Sequence, residues 1–284
     1  MSRLEVSNKE KKTLSLKEMI GDVRTKDKFN EILGQRAPKF LNSLLNMANN
    51  DKLLKGATPQ SIILSAMNSA VLDLPIEKNL GYTYIVPYKN KGVLEAQFQM
   101  GYKGYIQLAM RSSQYLKINV APLYKGQFKQ YDPIKDELIY DLNNKESEDI
   151  THYVAYFKLI NGFEKYLIMS KDEIIEHKRK YSKAGDSPYS PWTTQFDLMA
   201  MKTVLKLLLS RYGILSTELQ TAIKTDNAVI KDYTDDNDIE VEYVDNPNNS
   251  NEIDEIETVE ISEEIIESEK DEVPNPDEYE EEIF

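Results

Sequence analysis

Between Leu94 and Arg111 the hydrophobic period of the chain changes from two residues to 3.6 at a single glycine, and few local structures accommodate such a change. Leu94, Ala96, Phe98 and Met100 fall on one side of the first half, and Glu95, Gln97 and Gln99 on the other. That is the pattern of a half-buried strand. After Gly101, a wheel at about 100° per residue gathers Tyr102, Tyr105, Ile106, Leu108, Ala109 and Met110 on one arc and leaves Lys103, Gln107 and Arg111 on the other. A strand therefore passes through Gly101-x-x-Gly104 into a helix whose first turn has unbonded N–H groups, a seat suited to phosphate. Lys103, Gln107 and Arg111 are candidate contacts, with Gln97 and Gln99 as neutral donors. An ordinary solvated strand-turn-helix unit satisfies the same pattern, so both readings stand.

The flanking segments read in the same way. Phe29, Ile32 and Leu33, then Phe40, Leu41, Leu44, Leu45 and Met47, mark packing helices over residues 27–50, with Pro38 restarting the second at its first turn. Thr58-Pro59 opens a helix that ends before Pro75. Tyr82, Tyr84, Val86 and Tyr88 alternate as a strand, and Asn90-Lys91-Gly92 turns it into the Leu94 strand as a hairpin. These tyrosines can stack bases or pack on a helix. Leu116, Ile118 and Val120 suggest another strand, and a short hairpin is expected around Tyr131 and Ile139. HYVAYFKLI and FEKYLIM flank Asn161-Gly162, which predicts a second hairpin with a type I′ turn.

Ser170-x-x-Glu173 is a capping box for a helix that ends in Lys178, Arg179 and Lys180. Those cations either complement the helix dipole or contact phosphate. After a Gly- and Pro-containing loop, the last strong helix starts at Trp192. Gln195, Met199, Lys202, Lys206 and Ser210 share one stripe, and the weak repulsion of two lysines four residues apart is one that helices usually tolerate without reason but that a phosphate between them would turn into a gain. Lys202 and Lys206 are therefore candidate phosphate ligands, and Arg211, off that stripe, is a separate one. Trp192 is either a core anchor or a stacking platform.

Charge divides the chain more sharply than hydropathy. Up to residue 224 there are 33 Lys and Arg against 24 Asp and Glu, and beyond it 2 against 24, so a body of +9 precedes a stretch of −22 within the overall −13. We expect a mobile arm over 1–25, a basic body over 26–224 suited to a polyanion, and an acidic disordered tail over 225–284. With no cysteine, thiolate metal sites and disulfides are excluded. There is no G-x-x-x-x-G-K-[ST] for nucleotide phosphates, no metal-ligand spacing around His152 and His177, and no compact carboxylate cluster in the body. No apolar h-region or membrane span is read, and a cytoplasmic location is expected.

In order along the chain, TPQSIILSAMNSAVLDLP, GYTYIVPY, EAQFQMGYKGYIQLAMRS, IMSKDEI and PWTTQFDLMAMKTVLKLLL together resemble the RecT family of phage and prophage single-strand annealing proteins, over residues 58–212. The resemblance implies ATP-independent pairing of complementary single-stranded DNA without a chemical active site. It implies an α+β fold with antiparallel sheet and hairpins packed on helices, related to the Rad52 and Red-beta annealing core, and rings or helical filaments on DNA. It also implies a phage exonuclease as partner, and leaves magnesium dependence open. On this reading Lys103, Gln107, Arg111, Lys202 and Lys206 line a groove that holds one strand by its phosphates with bases outward. The tail can solvate the protein, occupy the groove, or, through an ending DEYEEEIF similar to the tips of bacterial single-strand binding proteins, engage host partners of those proteins. A passive coating protein and a metal-dependent nuclease are the rival classes.

Overall fold

A computed structural model describes residues 14–233 and 239–244. Within them the chain is built as α+β, with antiparallel sheets on helices, as expected. Four helices come first: α1 (Leu16–Gly21), α2 (Val23–Leu33), α3 (Ala37–Asn50) and α4 (Pro59–Val71). Their apolar faces meet around Phe29, Leu44, Leu54, Ile62 and Ala66, all buried. The mobile arm expected over 1–25 is corrected here. Ser15 caps α1 with a complete capping box, Asp22 caps α2, and Ile20 is buried among the other helices. Those polar residues are caps, which explains why the segment showed no period. Residues 1–13 lie outside the described residues.

Strands β1 (Thr83–Asn90) and β2 (Val93–Met100) form the first hairpin in continuous antiparallel register, Thr83 facing Met100 and Asn90 facing Val93. Lys91 and Gly92 both take positive φ, 46° and 91°, as a two-residue turn of the I′ class requires. One face of this hairpin packs on the helical layer through Ile85 and Ala96. The other core gathers around α5 (Tyr102–Arg111), the three-stranded sheet of β3 (Tyr115–Tyr124), β6 (Ile150–Leu159) and β7 (Glu164–Ser170), and α8 (Phe196–Tyr212). Tyr153, Ala155 and Phe157 alternate inward from β6 against Val204, Leu205 and Leu208 of α8.

The small hairpin expected near Tyr131 and Ile139 exists as β4 (Phe128–Asp132) and β5 (Glu137–Tyr140). Two local expectations change. The β6–β7 connection is not a type I′ turn. Only Gly162 has positive φ, and the Leu159 N–H donates to the Phe163 carbonyl at 2.7 Å across a longer loop. Asn161 instead accepts the Phe163 N–H on its side chain at 2.9 Å, a local Asx bond that stabilises the turn. The last helix is also divided. α7 (Pro191–Thr194) stops at Gln195, whose φ of −145° breaks the helix before α8 begins. The capping box of α6 (Lys171–Tyr181) at Ser170 and Glu173 is as read.

The boundary placed near Lys224 falls inside folded structure. α9 (Thr217–Thr225) leads into β8 (Val229–Tyr233) and β9 (Ile239–Glu242), with Ala228, Val229 and Ile230 buried. Phe98 of β2 bridges Ala228, donating its N–H to the Ala228 carbonyl and accepting the Asn227 N–H. One of the acidic residues here is paired rather than solvated: Lys231 bonds Glu242 at 2.8 Å, and Glu95 of β2 at 2.9 Å. Charge counted over the whole segment hid the apolar Ala228–Ile230 step. What was expected of residues 245–284 lies outside the described residues.

The Lys231 ammonium holds the Glu242 carboxyl below the ordinary carboxylate range. A depressed carboxyl pKa adds stability that is complete above its unfolded value and is lost as pH falls through the folded one. Thermal melts between neutrality and acid should therefore show a steeper acid-side loss for the parent than for Glu242→Gln, whose profile should be flatter below the ordinary Glu range.

Candidate nucleic-acid interface

β1 and β2 run to the start of α5, and the N-terminal ends of α7 and α8 approach from the other side. Between them lies a groove of about 510 Å³. Tyr84 on β1, Gln99 on β2, Tyr102 and Lys103 on α5, and Tyr189 in the loop before α7 line it. The strand-turn-helix read from sequence therefore supplies one wall. Alternation places Tyr84 and Gln99 opposite each other in register, so an aromatic ring and an amide project from paired positions.

Gly101 and Gly104 allow this wall to form. A Cβ on Gly101 would lie 2.2 Å from the Gly81 carbonyl oxygen, and one on Gly104 would lie 2.3 Å from that of Tyr82. The Gly101 N–H donates to the Tyr82 carbonyl at 2.8 Å. The glycine pair is thus first a packing device that lets the helix start lie against backbone. Lys103 is exposed at the groove, and among the described residues it makes no ion pair. Tyr189 is 80 % exposed. Burial pushes the Tyr84 phenol up, with Tyr102 nearby adding to the shift, which keeps Tyr84 a neutral hydrogen-bonding group.

Behind the groove sits Asp226, fully buried. It accepts the Met100 N–H at 2.9 Å, the Tyr105 hydroxyl at 3.0 Å and the Lys202 ammonium at 2.7 Å, and Lys206 approaches to 3.6 Å. Lys202 also donates to the Asn227 side-chain oxygen at 3.1 Å. A carboxylate just before the first turn of α5 is where the helix dipole favours an anion. Here the carboxylate is the chain's own, and it takes the N–H of Met100 at the end of β2 rather than a first-turn N–H of α5.

Residues 38–244 match the family model described as RecT family. The chain belongs to the RecT family. It is 47 % identical over 196 residues to the uncharacterized protein YqaK of Bacillus subtilis strain 168, an overlap of 69 % of this chain and 66 % of that protein. It is 30 % identical over 171 residues to Protein RecT of Escherichia coli strain K12, covering 58 % of this chain and 62 % of the relative. The chain thus spans a little under two thirds of the length of each relative. The RecT-family match extends through residue 244, as far as the folded β8–β9 hairpin does.

Against this RecT-family frame the sequence-derived contacts separate. Gln99, Lys103 and Lys202 line the groove. Gln97, by contrast, is buried, donates to the Asn227 carbonyl and accepts from Gln99 at 3.0 Å, so it supports the wall from behind. Lys202 and Lys206 were expected to hold phosphate; instead Lys202 is 5 % exposed and both face Asp226. Their repulsion is resolved within the protein, by a carboxylate that sequence spacing along one helix could not reveal. Arg111 donates to the Leu72 and Asp73 carbonyls at 2.7 Å each and so closes the C-terminal end of α4, a use the helix dipole favours.

Trp192 is in the core, packed on Phe196 at 5.9 Å between ring centroids, so the anchor reading holds over the platform reading. Lys178 pairs with Asp186 at 2.5 Å. Arg179, Lys180, Gln107 and Arg211 are exposed and do not line the groove. The sequence reading missed Tyr102 and Tyr189 as site residues. Tyr102 had been assigned to the apolar arc, and Tyr189 lies in a loop with no period to expose it. Lys78 was also missed; it lines the groove and pairs with Asp51 at 2.6 Å.

Among the described residues no group of His, Asp or Glu is placed to hold a metal ion, and no helix is long and apolar enough to cross a membrane. The Asp226 cluster makes an asymmetric prediction. Removing the carboxylate strands Lys202 in the interior, so Asp226→Ala should cost about 3–5 kcal/mol. Lys202→Met leaves Asp226 with the Met100, Tyr105 and Lys206 donors and should cost less. Chemical denaturation of both variants tests the order; equal losses would contradict it.

Proposed function

We propose that this chain is an ATP-independent single-strand annealing protein, which binds single-stranded DNA along the β1–β2 and α5 groove and pairs it with a complementary strand during homologous recombination. The observation that carries the reading is the groove's composition: exposed Tyr189, half-buried Tyr84 and Tyr102, and exposed Lys103 at a helix N-terminus, without an ion pair among the described residues. Stacking on aromatic rings tolerates any base, while a cation and backbone N–H groups track phosphate without reading sequence. Family membership and the likeness to Protein RecT support the same conclusion, as does the basic charge of the body.

The groove geometry changes the contact set read from the sequence. Lys103 and Gln99 hold phosphate directly, and Lys202 and Lys206 act through Asp226 by fixing the α5 start. Base pairing supplies specificity, and the protein contributes geometry and charge. Several copies assemble as a ring or filament so that neighbouring grooves carry one continuous strand. A phage exonuclease would generate the single strand, and a host single-strand binding protein would be met on it.

Two complementary oligonucleotides carrying a fluorescence-transfer pair, added in sequence without ATP, test the reading. Accelerated pairing against a non-complementary control is expected. Binding without acceleration would leave a passive coating protein, and shortened oligonucleotides would indicate a nuclease. Within the groove, Lys103→Ala should flatten the log affinity against log salt slope by about 0.7, the amount for one single-strand phosphate. Tyr189→Ala should weaken binding by about 1–3 kcal/mol with the slope unchanged. Unchanged affinity in both variants would place the DNA elsewhere.

A further inference from the structure

The three-stranded sheet has the order β3-β6-β7, so β3 has a strand on one side only. The two edges are treated differently. At the β7 edge, Asp136 from the β4–β5 connection accepts the Tyr166 N–H at 3.2 Å and pairs with Lys165 at 3.1 Å. A side chain thus blocks addition there. At the β3 edge, residues 116–121 make backbone bonds only to β6 among the described residues. Leu116 is 60 % exposed and the neighbouring Lys117 and Asn119 are exposed too. Pro122, which has no N–H to donate, bounds the open stretch.

A second open edge lies on β5. Among the described residues it pairs with β4 and with no other strand, yet Ile139 is 55 % and Tyr140 49 % exposed, and Leu142 just beyond is 60 % exposed. An open strand edge with exposed apolar side chains is a template for another chain. The two edges are also opposite in charge: Lys117 follows Leu116 on β3, whereas exposed Glu137 and Asp141 flank Ile139 on β5.

We propose that β5 of one copy adds to the open edge of β3 in the next copy, with Ile139 against Leu116 and the Glu137 and Asp141 carboxylates near Lys117. Four residues of β5 fit within the six that Pro122 leaves open. Donor and acceptor are different surfaces of one chain, so the contact is head-to-tail and repeats from copy to copy. This inference rests on the assembly part of the function proposed above, and makes no use of the groove.

The test uses the full chain, with and without an oligonucleotide. Sedimentation velocity should show Leu116→Glu, which damages only the acceptor, and Ile139→Asp, which damages only the donor, each with an assembly dissociation constant raised at least about tenfold. Both side chains are exposed, so thermal melts should match the parent. Mixed one to one, the two variants retain one good donor and one good acceptor and should form dimers and nothing larger. Because the chain contains no cysteine, copies carrying Leu116→Cys and copies carrying Ile139→Cys can also be mixed under oxidation. A disulfide-linked dimer formed by that mixture alone is expected. A parent monomeric under both conditions, variants that assemble like the parent, or a mixture that forms no dimer and no cross-link would each overturn the proposal. Oligonucleotide affinity measured on the same variants tests the groove reading separately, since neither residue lines it.

Discussion

Burying a carboxylate costs several kcal/mol unless its oxygens are satisfied, and at Asp226 the required partners come from three separated parts of the chain. Met100 at the end of β2 contributes its N–H, Tyr105 its hydroxyl from α5, and Lys202 and Lys206 their ammoniums from α8. Satisfying one side chain thus fixes the β2–α5 junction against the long helix. Both walls of the groove are referred to that point. The position of Lys103 relative to Tyr189 depends on a residue that reaches the groove only through its neighbours.

How far the sequence disclosed this can be followed residue by residue. Hairpins and helices were legible because burial imposes a period: Leu94 to Met100 alternates, Tyr102 to Met110 repeats every three or four residues, and the structure forms a strand and a helix there. Turn and cap chemistry was legible where one residue type dominates, as at Ser170, and less so at Asn161-Gly162, where loop length decided the turn. Helix spacing put Lys202 and Lys206 on one stripe, where an anion between them would offset their repulsion, and phosphate was the anion expected. It could not say that the anion was Asp226, 24 residues away from Lys202. Periodicity reports which side of an element a residue occupies, and partners distant in sequence leave no trace in it.

The same limit explains the C-terminal boundary. Net charge is an average, and one averaged over residues 225–284 is dominated by positions beyond the β8–β9 hairpin. Between α9 and the end of β9, by contrast, Asp226 and Glu242 each have cationic partners and Ala228 to Ile230 are apolar and buried. The buried apolar run from Ala228 to Ile230 is the local signal that the segment returns to the core. The exposed β3 and β5 edges carry the opposite lesson, since apolar side chains that alternate on a strand look alike in sequence whether the protein itself or a second copy covers them.

The Asp226 cluster also sets an order of events. Met100 and Tyr105 precede Asp226 by 126 and 121 residues, and contacts of such separation form slowly. During synthesis from the N-terminus, the helical layer and the β1–β2 hairpin can close on local contacts. The two α8 lysines meanwhile have no Asp226 to enter the interior with. The second core therefore locks only after the chain has been made past residue 226, and a ribosome stalled earlier would carry a body whose helices exist but whose groove has not yet been set.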